Sequence, residues 1–176
     1  MELFSYDKAE PVEEIGIGYK YIETSRSSGY KFKNAMGDLA DNSADAGAEK
    51  TVILFEGKRT EIEAIIIMDN GVGMSEDVLK DSYKLGAGSK HTSQDLGKFG
   101  VGGTMASLSL ASKKTTYTRD SSKGEFLSRG YDLELCKAHD KWVTRTSVSM
   151  PPEYVEMFEK HFGADSTGTI IVLEGL

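Results

Sequence analysis

The chain has 176 residues, with 28 Asp and Glu against 21 Lys and Arg, for a formal net charge of −7. That length suits one domain with a sizeable core, and the acidic balance argues against a strong nucleic-acid footprint, which needs clustered basic side chains on phosphates. Hydrophobic residues at 39% and charged ones at 28% are ordinary for a globular domain, and no apolar run approaches the roughly 18 residues that read as a membrane helix. Cys136 is the single cysteine and Met1–Ser5 shows no basic-then-apolar leader, so the expected setting is a reducing cytoplasm.

In chain order, residues 1–27 read as an N-terminal arm with a first short helix. From Tyr30 to Ala46, the stripe Phe32, Ala35, Leu39, Ser43 and Ala46 has helical spacing, and Gly47 sits where a C-terminal cap belongs. Residues 51–55 and 62–68 predict strands about a Gly57-Lys58 turn; the second, with Ile65-Ile66-Ile67-Met68, looks buried on both faces. Ser75 is an N-cap for a helix to about Lys84. Residues 85–98 lack periodicity and read as a mobile loop. A helix follows from near Val101 through Ala111, then strands at 114–119, 125–136 and 141–149. Pro151-Pro152 opens a helix at 152–162, and Thr169–Leu173 forms a last strand. Runs of helices and strands without strict alternation predict a mixed sheet covered by helices on one face.

Three segments carry chemistry. On a helix, Asp38, Asn42 and Asp45 lie at i, i+4 and i+7 and share a face. An amide oxygen suits Mg²⁺, which takes few protein ligands beside water and substrate phosphates, and a carboxylate one turn earlier can accept a proton from an attacking water. A solvated acidic helix face would look the same. Second, Ile67-Met68-Asp69-Asn70-Gly71-Val72-Gly73-Met74 is a buried strand that breaks into an Asp-x-Gly-x-Gly turn. A carboxylate ending an apolar strand is costly unless a donor reaches it, and the adenine amine is one such donor; an everyday turn is the plain alternative. Third, Gly97-Lys98-Phe99-Gly100-Val101-Gly102-Gly103-Thr104 leads into a small-residue helix, as a phosphate cradle of bare backbone N–H groups does. The spacing is not that of a P-loop. His91, His139 and His161 show no metal-ligand spacing, and Trp142 with the tyrosines and phenylalanines of 117–162 reads as core.

These segments, in this order and followed by Gly168-Thr169, resemble the GHKL superfamily of DNA gyrase, histidine kinases, the large heat-shock chaperones and MutL. Asp38 and Asn42 match its acid-to-Asn helix, Asp69, Gly71 and Gly73 its Asp-x-Gly-x-Gly box, and Gly97, Gly100, Gly102 and Gly103 its glycine-rich lid end. The match spans roughly residues 30–173. It implies an α/β, or α+β, two-layer sandwich of the Bergerat type, with a mixed, mostly antiparallel sheet and an ATP lid at 85–98, all within a single domain. Asn42 is then expected to hold Mg²⁺, Asp69 to recognise adenine with Thr169 assisting through water, and Asp38 to serve as the catalytic acid–base. Asp45, Ala46, Met74, Ser89, Lys90, Lys98, Phe99, Val101 and Thr104 complete the expected ATP contacts.

Within the superfamily the Gly-Lys-Phe-Gly-Val-Gly run is most similar to the microrchidia (MORC) ATPases, then to MutL and the chaperones. Histidine kinases, which generally lack an acid at the Asp38 position, fit less well. Two departures bear on rate. The catalytic acid is usually Glu, and Asp38 is one methylene shorter. In several branches a following domain supplies a basic residue to the γ-phosphate, and residues 1–176 hold no such domain. The expectation is an ATPase of slow turnover, with ATP-driven homodimerisation through the arm and lid and engagement of DNA or a protein partner through another domain or subunit. The alternative is a nucleotide-sensing interaction module that does not hydrolyse ATP.

Overall fold

The computed structural model describes residues 16–26, 30–58, 60–85, 102–121 and 124–176. Six helices and six strands follow one another there as α1 (Tyr19–Arg26), α2 (Phe32–Asp45), β1 (Thr51–Lys58), β2 (Glu61–Asp69), α3 (Glu76–Asp81), α4 (Gly102–Leu110), β3 (Lys113–Arg119), β4 (Leu127–Asp132), α5 (Leu133–His139), β5 (Arg145–Thr146), α6 (Pro152–Phe162) and β6 (Gly168–Glu174). The strands form one sheet in the order β1-β2-β6-β3-β4-β5. Every described pairing is antiparallel.

The last strand lies at the centre of the sheet because it is apolar on both sides. Ile171 and Leu173 face one way, opposite Ile67 and Ile65, while Ile170 and Val172 face the other, opposite Met68 and Ile66. On the first face α2 and α4 supply Ala35, Leu39 and Ala106 to a core with Ile65, Ile67 and Leu173. Beside it Ile22 of α1 packs with Leu79, Tyr83, Leu108 and Tyr131. The end of the expected N-terminal arm is therefore part of the core. Helices were expected on one face only; α6 instead covers the opposite face, because β2 and β6 are apolar there too, and its Phe158 is fully buried among Ile66, Met68, Tyr117, Ile170 and Val172. Phe126 meets the Phe158 ring edge-on at 5.3 Å, and Phe162 lies at 4.9 Å. Replacing Phe158 with Ala is expected to cost about 3–5 kcal/mol through lost burial and the cavity left behind, read as a lower midpoint in urea with an unchanged slope.

Several boundaries differ from the sequence reading, each for a local reason. The Gly57-Lys58 pair lies inside β1, at a bulge between Glu56 and Gly57, so the first strand runs on to Lys58, which pairs with Glu61 at the start of β2. The strand expected at 125–136 stops at Asp132, whose carboxylate accepts the N–H of Glu134 at 3.0 Å and caps α5. The strand expected at 141–149 is reduced to Arg145–Thr146, paired with Gly130 and Arg129, and Ser147 then takes φ 55. Helix α2 starts at Phe32 rather than Tyr30 and ends as expected: Ala48 N–H returns to the Ser43 carbonyl at 3.1 Å and Gly47 N–H to Ala44 at 2.9 Å. No helix among the described residues is long and apolar enough to cross a membrane.

Candidate functional site

The candidate site is built where β2 ends. Strand alternation puts Asp69 on the same face as Ile65 and Ile67, toward α2 and α4. The register places Thr169 of β6 opposite Asp69 and Thr118 of β3 opposite Thr169, so three neighbouring strands present a row of three polar side chains. All three are buried. The Asp69 carboxylate accepts the Ser43 hydroxyl from α2 at 3.1 Å and the Gly71 N–H at 2.9 Å. Burial raises its pKa above 3.8, against the opposing pull of Gly71, Ser43 and the backbone of Thr169.

Thr118 joins the row to the loop that follows β2. Its hydroxyl accepts the Met74 N–H at 2.9 Å, lies 3.0 Å from the Thr169 hydroxyl and is 3.2 Å from the Gly168 carbonyl. The loop 69–74 is stitched on both sides: Val72 N–H donates to the Ala46 carbonyl at 3.0 Å, and the Thr167 hydroxyl to the Gly71 carbonyl at 2.8 Å. Gly73 has φ +68, and a Cβ there would lie 2.2 Å from the Arg119 carbonyl oxygen, so no other residue fits this closure unstrained.

A second group of residues forms where α2 meets α4. Asp38 and Asn42 are half-buried, one turn apart on α2. The Asn42 amide lies against the first turn of α4; a Cβ on buried Gly103 would come within 2.6 Å of its Nδ2. The glycine thus leaves the amide room beside the free N–H groups that open a helix. Asp38 accepts a hydrogen bond from the Tyr30 hydroxyl.

The structure therefore brings Asp69, Gly71, Gly73, Met74, Ala46 and Thr169 around one loop, and Asn42 and Gly103 to the α2–α4 contact, with Asp38 one turn earlier on α2 and Gly102 the first residue of α4. Asp45 lies exposed on the last turn of α2. Thr104 is buried and gives its hydroxyl to the Ser82 carbonyl at 2.5 Å, which ties α4 to the end of α3. Ser89, Lys90, Gly97, Lys98, Phe99, Gly100 and Val101, and the expected lid apart from Leu85, lie outside the described residues. Leu85 packs with Leu79 and Tyr83. Three polar contributors went unassigned in the sequence: Tyr30, Ser43 and Thr118. Ser43 is the one hydroxyl in an otherwise apolar stripe, and Thr118 ends the period-two row Lys114, Thr116, Thr118 on a strand that proves buried. Those patterns were their only signals.

An antiparallel sheet with a buried acid at one strand end, facing helices that bring an amide to a glycine-rich helix start, defines an α+β sandwich with a polar candidate site at its strand ends. The family model described as histidine kinase-, DNA gyrase B- and HSP90-like ATPase matches residues 30–169. The chain belongs to that family of ATP-binding ATPases, and its fold is the Bergerat sandwich. It is also similar to the DNA mismatch repair protein MutL of Pelotomaculum thermopropionicum, with 37% identity over 87 residues, which is 47% of this chain and 14% of that protein. The chain thus covers a small part of the length of that relative.

Proposed function

We propose that this chain binds ATP with Mg²⁺ and hydrolyses it slowly to ADP and phosphate, with nucleotide-dependent closure of residues 85–98 and dimerisation governing engagement of DNA or a protein partner. The observation that carries the binding reading is the buried Asp69 carboxylate, held at the end of an apolar strand in a row with Thr169 and Thr118. A carboxylate carried at such a cost points to a ligand that donates to it, and the exocyclic amine of adenine does so. The Thr169 hydroxyl stands beside it to hold a water against the ring.

Phosphates would lie at the start of α4, where backbone N–H groups and the helix dipole favour anions. Asn42 offers the hard oxygen that Mg²⁺ takes, and the lack of a side chain at Gly103 gives that amide room beside α4. Among the described residues no three His, Cys, Asp or Glu side chains gather to hold an ion, so the remaining ligands would be phosphate oxygens and water. When bound, the ion neutralises phosphate charge. Asp38, one turn before Asn42, would take the proton of the attacking water. The free, buried Cys136 fits a reducing, cytoplasmic setting.

Calorimetry of ATP with and without Mg²⁺, with phosphate release followed on the same sample, tests this directly. The expected outcome is binding that Mg²⁺ tightens and release that requires Mg²⁺. Absence of binding in both conditions would overturn the reading.

A further inference from the structure

The sequence assigned nothing to Tyr30, which sits just before α2. Lys31 is extended there, at φ −74 and ψ 141, and no side chain caps the helix. The Tyr30 ring helps wall a groove of about 640 Å³ with Phe32, Ile62, Ile65 and Leu110. Its hydroxyl reaches out of that groove to Oδ2 of Asp38, eight residues along the chain. An aromatic body on apolar surface with a polar tip on a carboxylate is a stiff arrangement, since only two side-chain torsions set the hydroxyl.

We propose that Tyr30 is a positioning residue for Asp38: its hydroxyl fixes Oδ2 and leaves Oδ1 to accept the proton of the attacking water. The inference rests on the reading of Asp38 given above. In the step it serves, the water oxygen bonds to the γ-phosphorus and the bond from phosphorus to the β,γ-bridging oxygen breaks. The electron pair leaves with ADP, and the water proton passes to Oδ1. A half-buried aspartate on a helix surface otherwise samples several rotamers, and a shorter side chain than Glu tolerates less misplacement. The sense of the hydrogen bond is fixed as well, because an ionised carboxylate only accepts. The hydrogen bond to Asp38, burial and the Asp38 charge all raise the Tyr30 pKa, which keeps the phenol a donor.

The test uses the whole chain as wild type, Tyr30→Phe, Asp38→Asn and the double variant. Single-turnover phosphate release is read beside the Kd of a non-hydrolysable ATP analogue with Mg²⁺. Tyr30→Phe keeps the ring in the groove and is expected to slow release about ten- to a hundredfold while leaving the Kd within about twofold. In the double variant, release is expected to be no slower than in Asp38→Asn alone, since a group acting through the carboxylate has nothing left to position. A general structural defect would instead slow release further or weaken binding in the double variant, and either result overturns the inference. Unchanged release in Tyr30→Phe, with Asp38→Asn inactive, overturns the role of Tyr30 alone. Unchanged release in Asp38→Asn overturns the reading of Asp38 and this inference with it.

Discussion

Asp69→Asn is expected to weaken ATP binding by roughly ten- to a hundredfold while leaving the fold intact. The substitution is isosteric: the amide oxygen can keep the Gly71 N–H, and the amide NH₂ can donate to the Ser43 hydroxyl that now donates to Asp69 at 3.1 Å. What it loses is a charged acceptor for the adenine amine, an interaction worth about 1.5–3 kcal/mol, and it sets a donor against a donor besides. The stability effect has the opposite tendency. Because burial raises the Asp69 pKa above 3.8, the folded chain holds that proton more tightly than the unfolded chain. This contribution to stability is fully present below 3.8 and is lost as pH rises through the raised folded value. At neutral pH the ionised carboxylate is therefore carried at a cost, and the asparagine variant without nucleotide should melt no lower than wild type. Wild-type ATP affinity should also fall on acidification as Asp69 takes up its proton, at a pH shifted upward by its burial, with no such loss in the variant. Thermal melting with and without ATP across pH reads both effects. Wild-type affinity in Asp69→Asn would remove Asp69 from adenine recognition.

The other large effect is expected at Asp38. Asp38→Asn keeps size and hydrogen-bonding oxygen, so the Tyr30 hydroxyl retains a partner and α2 is undisturbed. It removes the only property the proposed role needs, a carboxylate able to take a proton. General-base groups contribute about 10²–10⁴-fold, and phosphate release should fall by that order with ATP binding nearly unchanged. The split is diagnostic, because an interaction made only in the transition state lowers turnover without altering nucleotide affinity. Release that persists unaltered in Asp38→Asn would remove Asp38 from the hydrolytic role, whereas binding without release, in wild type as in the variant, would favour the nucleotide-sensing module. The site would then act through occupancy, and the Asp38 carboxylate would be a solvated charge near the phosphates.

Apart from α5, whose first residues read as part of a strand, the order of the elements and the burial of β2 were legible in the sequence because each rests on local periodicity. Six consecutive buried residues, Ala64 to Asp69, follow directly from an apolar run ended by an acid. The stripe on α2 and the Ser75 cap are equally local, the latter with Val78 N–H on the Ser75 hydroxyl at 3.5 Å. Asp38, Asn42, Asp69 and the glycines near them could be singled out from residue type and spacing alone. The ends of β4 and β5 could not, since Asp132 reads equally well as strand or helix cap until its carboxylate finds Glu134.

What the sequence by itself determined is the set of amphipathic pieces and the residue types able to meet a nucleotide. The tertiary structure alone decided that β6 inserts between β2 and β3, because pairing partners about 100 residues apart leave no trace in local pattern. That insertion sets Thr169 and Thr118 beside Asp69 and puts a strand-end acid at the centre of the candidate site. It also decided that Tyr30 reaches Asp38 and that Gly103 clears space for Asn42. These are through-space contacts, fixed by side-chain direction and helix packing, which the spacing of residues along a chain does not encode.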